Sequence, residues 1–222
     1  MKTLALIHTS MVFINVETLM QDLYKEIMPE VRLINIIDDS LLPDVMEVGK
    51  ITPEVTSRMV DYVVAAEKTG ADAILSLCSS LGPSIDEARK HVKVPVIKID
   101  DAMTELAVKN AKKIGVMATV PTTLGPTVDL IKEKADKLKK SVEVTPCLVK
   151  GAFELLMSGD KDNHDAMVME SAKELAKTID IIVFAQASMT RLAGYVSRGV
   201  EKDVLTSPRL GIEHTKAVLD SL

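Results

Sequence analysis

The chain alternates short, largely apolar runs with longer stretches in which apolar residues recur every three or four positions. The apolar runs are Leu4–His8, Val31–Ile37, Ala73–Cys78, Val94–Ile99, Ile114–Ala118, Val142–Leu148 and Ile181–Ala185. Each has strand length, and the lack of polar alternation predicts strands covered on both faces, as in parallel sheets. The helical period predicts helices over 12–28 and 52–69, one ending at His91, a helical linker over 100–113 and one ending near Lys140. Further helices are predicted over 151–158, 163–178, 190–200 and 208–219. Pro29 closes the first of these. Thr52-Pro53-Glu54 is a strong helix start: the hydroxyl caps, proline suits the first turn and the acid complements the dipole. Gly70 is a suitable residue to end that helix. The stretch 41–51, with Pro43 and Gly49, reads as irregular.

The pattern repeats. Lys2–Thr9 lies over Lys112–Thr119, Val31–Leu33 over Val142–Val144, and Ala73–Cys78 over Ile181–Gln186, at nearly constant spacing. Alternating β and α elements repeated in this way predict an α/β protein of two similar Rossmann-like halves with parallel sheets, related by a pseudo-two-fold. The expected boundaries are 1–99 plus 206–222 for the first half and 100–205 for the second, the last helix returning to the first half. Ligands bind beyond the carboxyl ends of such strands, so a cleft between the halves is the expected site.

Composition excludes several classes of partner. A net charge of −5 and a pI near 5.5 argue against nucleic acid, and the basic run Lys132–Lys140 has acids interleaved like a solvated helix face. No apolar stretch approaches the roughly 20 residues that span a bilayer, so no membrane partner is expected. Met1–His8 reads as a first strand rather than a signal peptide. Two cysteines in 222 residues give no disulfide framework, and a cytoplasmic, reduced setting follows. With aromatics at 3%, no Trp and 12 Met, aliphatic side chains must fill the core.

The strand ends carry the candidate chemistry. The third strand stops at Cys78, followed by Ser79-Ser80-Leu81-Gly82-Pro83. A thiol there meets a cleft near the positive end of the next helix, which lowers its pKa below the free value of about 8.5. Ser10, Ser79 and Ser80 in the first half, with Thr119, Thr122, Thr123, Gln186 and Ser188 in the second, form a set rich in hydroxyls and backbone N–H groups. Such groups at helix starts suit a small carboxylate. No glycine-rich phosphate fingerprint accompanies any strand, which disfavours a nucleotide, and no His/Cys/Asp/Glu cluster has metal-ligand spacing.

These motifs, in this order, resemble the aspartate/glutamate/hydantoin racemase superfamily. The resemblance spans essentially the whole chain and includes Ala118-Thr119-Val120-Pro121-Thr122-Thr123 and Leu205-Thr206-Ser207-Pro208. It implies a dimeric, cofactor-independent (hence PLP-independent) enzyme of hydantoin-racemase-like plan, with two cysteines acting as acid and base on opposite faces of a carbon next to a carboxylate. The chain departs from that pattern where the second cysteine belongs, which is Gln186. An amide gives up no proton near neutrality and serves only to hydrogen-bond a substrate carboxylate or hydroxyl. One-sided isomerase or decarboxylase chemistry on Cys78 as acid/base or nucleophile is therefore expected. This resembles the arylmalonate decarboxylase branch, whose single cysteine lies in the other half, or the maleate isomerase branch, which keeps both. An amino-acid racemase, or a carboxylate-binding protein of the same fold, is the alternative.

Other residues have plainer readings. Cys147 falls within a strand and reads as a small buried hydrophobe. His8 closes a buried strand and is a candidate base or a core histidine, while His91, His164 and His214 read as surface. Asp38 and Asp39 read as a solvated turn, and Asp100 and Asp101 as the start of the linker helix. Met157, Met167 and Met169 read as packing or a subunit contact, and Phe13, Met46, Met189 and Arg191 as residues shaping a pocket.

Overall fold

A computed structural model describes residues 1–11 and 18–222. Phe13 and the expected start of the first helix lie outside these residues. The described chain divides into two compact units, Met1–Ile99 with Pro208–Leu222, and Asp100–Ser207.

In the first unit, β1 (Thr3–His8), β2 (Arg32–Ile37), β3 (Ala73–Ser76) and β4 (Val96–Lys98) form a parallel sheet in the order β2-β1-β3-β4. Successive residues of β1 alternate between two cores, as the pleat requires. Ala5 and Ile7 join Ile74 and the helices α2 (Leu41–Val48), α3 (Pro53–Lys68) and α4 (Gly82–Ala88). Leu4 and Leu6 join Leu75 and the helices α1 (Leu19–Ile27) and α10 (Ser207–Ser221) on the other face. The unbroken apolar runs of β1 and β3 have this cause: both faces of these central strands are covered, whereas β2 at the sheet edge carries Arg32 and Asn35 and is partly exposed.

The second unit repeats the plan. Here β5 (Lys113–Ala118), β6 (Glu143–Leu148), β7 (Ile181–Phe184) and β8 (Asp203–Leu205) run parallel in the order β6-β5-β7-β8. Its helices are α5 (Asp101–Asn110), α6 (Pro121–Lys137), α7 (Ala152–Met157), α8 (Lys161–Leu175) and α9 (Ala193–Val200). The repeat extends to a polar device at the start of each sheet. Asp72 accepts the Thr3 N–H at 2.7 Å, and Asp180 accepts those of Lys112 and Lys113 at 3.1 and 2.8 Å. Both carboxylates thereby satisfy N–H groups at the N-terminal end of a central strand.

Several local readings change. Residues 41–48 are helical because Pro43 sits in the first turn, where its missing N–H costs nothing, and Gly49 takes φ 76° to end the helix. The three-residue strand β8 was not anticipated; it carries an acid and only two apolar residues, and pairing with β7 defines it. Thr52 caps α3 as expected, accepting the Val55 N–H at 3.3 Å, and Gly70 follows with φ 80°.

The last helix returns to the first unit through its core residues Ile212 and Leu219 and through one close backbone approach. A Cβ on Gly211 would lie 2.3 Å from the Ile99 carbonyl oxygen, so α10 meets backbone there and no side chain fits. Gly211→Ala is expected to lower stability by about 1–3 kcal/mol in urea unfolding, despite alanine's better helix propensity. An unchanged midpoint would mean that α10 does not press on the end of β4.

Candidate active site

The sequence GPSIDEA from Gly82 forms α4, but a single 3-10 turn, Ser79–Leu81, precedes it. Cys78 sits at the head of that turn in extended backbone, φ −131° and ψ 111°, two residues beyond the end of β3. It is half-buried and packs against the core on the α3–α4 face of its sheet. Ser80 is buried and Ser79 half-buried in the same turn.

The second unit builds the same corner with different chemistry. Gln186 follows the end of β7 by two residues, with φ −120° and ψ 132°, and heads the 3-10 turn Ala187–Leu192. Backbone place and conformation therefore match Cys78, while the side chain is an amide.

That amide is already engaged. Its Oε1 accepts the Thr119 N–H at 2.6 Å, the Val120 N–H at 3.0 Å and the Thr119 hydroxyl at 3.2 Å. These donors belong to the turn that opens α6, where a carboxylate oxygen was expected. An amide oxygen offers the same two lone pairs as one carboxylate oxygen, so Gln186 meets the need from within. The turn's remaining members differ in setting. Thr123 is buried, and the Thr122 hydroxyl is buried with no hydrogen-bond partner among the described residues. Ser10 and Ser188 are half-buried. Ser10, Ser79 and Ser80 thus belong to the first unit, and Thr119, Thr122, Thr123, Gln186 and Ser188 to the second.

His8 is not beside the thiol. It follows Leu4 and Leu6 onto the α1 face of the sheet, whereas Cys78 packs on the opposite face. Its Nε2 lies 2.9 Å from Asn35 Oδ1, and burial holds its pKa below the usual histidine value against the raising effect of that bond. Cys147 occupies β6 opposite Met117, half-buried against the second core, and burial pushes its thiol pKa up. That is a packing residue's setting.

Three expectations need correction. His164 is buried, 2% exposed, because Asp165 lies 2.7 Å from its Nδ1 and Arg191 pairs with Asp165 at 2.5 and 2.7 Å. The polar neighbours that suggested a surface position are what allow this histidine to be buried. Met189 does not shape a pocket but lies in the core of the second unit, and Arg191 is committed to Asp165. Asp38 is an anchored carboxylate rather than a loose turn residue.

Burial alone would raise the Asp38 pKa, but hydrogen bonds from Tyr62, Ser40 and Arg58 outweigh it and hold the carboxyl at about 2. Its ordinary value is 3.8. A depressed folded pKa gives stability that is full above the unfolded value and is lost as pH falls through the folded one. The stability difference between wild type and Asp38→Asn is thus expected to shrink as pH falls from about 4 to about 2. Urea melts at a series of pH values measure this, and a difference independent of pH would refute the anchoring.

Among the described residues no group of three or more His, Cys, Asp or Glu side chains is arranged to hold a metal ion. No described helix is long and apolar enough to cross a membrane.

Two parallel α/β units with matched strand-end corners define a protein of the racemase type of fold. The sequence matches the profile of the Asp/Glu/hydantoin racemase family over residues 15–215, and the chain belongs to that family. Among solved structures it is similar to a putative Asp/Glu racemase from Yersinia pestis, with TM-score 0.75 and 16% identity, covering 100% of this chain and 99% of that one. A glutamate racemase from Bacillus anthracis aligns with TM-score 0.72 at 14% identity, covering 99% and 82% of the two chains. Unliganded arylmalonate decarboxylase aligns with TM-score 0.59 at 14% identity, covering 99% and 93%. Among curated proteins no sequence matches.

Proposed function

We propose that the protein is a cofactor-independent enzyme acting at or next to the α-carbon of a small carboxylate, with Cys78 as its acid/base or nucleophile. The observation that carries this reading is the matched pair of corners: a thiol after β3, and an amide in the same backbone place after β7. An acid and a base on opposite faces let an enzyme deprotonate either enantiomer. One thiol and one amide do not, because an amide neither gives nor takes a proton near neutral pH.

The proposed chemistry is one-sided. In the isomerase form, the Cys78 thiolate takes a proton from one carbon, leaving a delocalised enolate, and the resulting thiol returns it on the same face to a second carbon of that system. In the decarboxylase form, carbon dioxide leaves with its bond electrons on the α-carbon, and the thiol protonates the carbanion that remains. Backbone N–H groups of the turn from Ser79, with the Ser79 and Ser80 hydroxyls, are the donors proposed for the carboxylate and the developing enolate.

Incubating the protein with small α-amino, α-hydroxy and malonate-type acids in deuterium oxide tests this. The expected result is deuterium at the α-carbon in a single configuration, with the substrate protecting Cys78 from iodoacetamide. Exchange with racemisation at the same rate would reject the one-sided mechanism. Lack of both exchange and protection would reject the enzyme.

A further inference from the structure

The two sheets end in four edge strands, and three of these are built against pairing with another chain. β4 and β8 are only three residues long, and a short edge is a common protection. β6 has six residues, but Pro146 stands fourth among them. Glu143 N–H donates to Lys112 O and Val149 N–H to Ala118 O, so alternation along the strand turns Val144, Pro146 and Leu148 outward. Proline offers no N–H there, which spoils an outer ladder.

β2 is the exception. It pairs with β1 on one side, and among the described residues no strand covers the other. Its six residues include no proline, and Arg32 at the start is their one charge. Arg32 N–H donates to Lys2 O and Asp38 N–H to His8 O, so the backbone N–H and C=O groups of Leu33, Asn35 and Ile37 point outward. Asn35 stands fourth in its strand, the place Pro146 holds in β6, and is exposed; Ile37 is 43% exposed.

This edge is complementary to itself. A second β2 laid antiparallel and centred on Asn35 sets Leu33 opposite Ile37 and Asn35 opposite its own copy, and all these pairs exchange N–H···O bonds. The same register sets Ile34 opposite Ile36, and Arg32 opposite Asp38 with Asp39 next to it. Arg58 serves both Asp38 and Asp44, so the end of β2 stays acidic. At its start Glu30 is paired with Lys216, which leaves Arg32 to face that acidic end.

We propose that the outer edge of β2 docks a second copy of this chain, joining two first-unit sheets across a two-fold axis at Asn35. Such a contact is isologous and closes on itself. It is independent of the chemistry proposed for Cys78.

Sedimentation velocity of the full chain over a concentration series tests this, and a monomer–dimer equilibrium is expected. Ile37→Pro removes one outward N–H from each copy while sparing the β1 ladder, and should weaken the dimer at least about tenfold. Arg32→Glu, at an exposed position, sets acid against acid at both ends of the seam and should weaken it about fivefold. Asn35→Cys should cross-link to its own copy under mild oxidation, above the wild-type background, because paired Cα atoms about 5.5 Å apart are within disulfide reach. Arg32→Cys, about 20 Å from its copy in this register, should not. A monomer at every concentration would overturn the proposal. So would a dimer that Ile37→Pro and Arg32→Glu both leave unchanged, or Arg32→Cys cross-linking as fast as Asn35→Cys.

Discussion

Cys78→Ser is expected to reduce turnover by about 10²- to 10⁴-fold, the usual contribution of a positioned acid or base, while the protein stays folded. Serine keeps the size and the hydrogen-bonding capacity of the site. What it loses is acidity, because an alcohol does not ionise near neutral pH whereas a free thiol titrates at about 8.5. Cys78 is half-buried against its core and serine is nearly the same size, so the exchange leaves no large cavity. Measuring kcat beside the urea midpoint separates the two effects. Full activity in the serine variant would end the proposal for this thiol, and lost activity with lost folding would assign Cys78 to the core instead.

Gln186→Ala should act on the second unit in the opposite sense, loosening the turn but opening it to ligands. The wild-type amide oxygen accepts from the N–H groups of Thr119 and Val120 and from the Thr119 hydroxyl. Removing it leaves three donors without that acceptor, and Thr119 is itself buried. A loss of about 1–3 kcal/mol is expected from unsatisfied donors of this kind. The same donors then accept a small carboxylate in place of the amide oxygen. Acetate or succinate should therefore raise the melting temperature of the alanine variant more than that of the wild type, since whatever binds only the folded state stabilises it. Gln186→Glu, which keeps an acceptor in place, is the control and should retain most of the stability. Equal carboxylate effects in wild type and Gln186→Ala would show that Gln186 does not stand in for a bound anion.

Much of the frame is legible in the sequence. Seven of the strands follow from largely apolar runs, most plainly the central ones, which are covered on both faces and so have no polar alternation. Strands β2 and β6 at the sheet edges keep some polar, partly exposed positions. The repeat was visible because strand cores tolerate little besides aliphatic residues, so Leu4–His8 and Ile114–Ala118 look alike. The eighth strand was invisible for the converse reason: Asp203–Leu205 is too short to carry a pattern, and its neighbour β7 makes it a strand. Residues 41–48 misled because Pro43 and Gly49 mark irregular chain as readily as they mark the two ends of a short helix.

The site divides along the same line. That Cys78 and Gln186 close corresponding strands is a matter of sequence order, and the polypeptide alone determined it. Three things were decided only by tertiary structure. Gln186 turns back onto the Thr119–Val120 donors, 67 and 66 residues away, a pairing no local pattern records. His164 is buried because Asp165 and Arg191 converge on it, and residue type by itself assigned it to the surface. His8 and Cys78 both end strands, yet the pleat sends them to opposite faces of one sheet. The chain thus determined by itself which residues stand at the strand ends, since burial writes that order directly into hydrophobicity. Which of those side chains meet, and which are already satisfied, depends on contacts between distant segments that only the folded structure brings together.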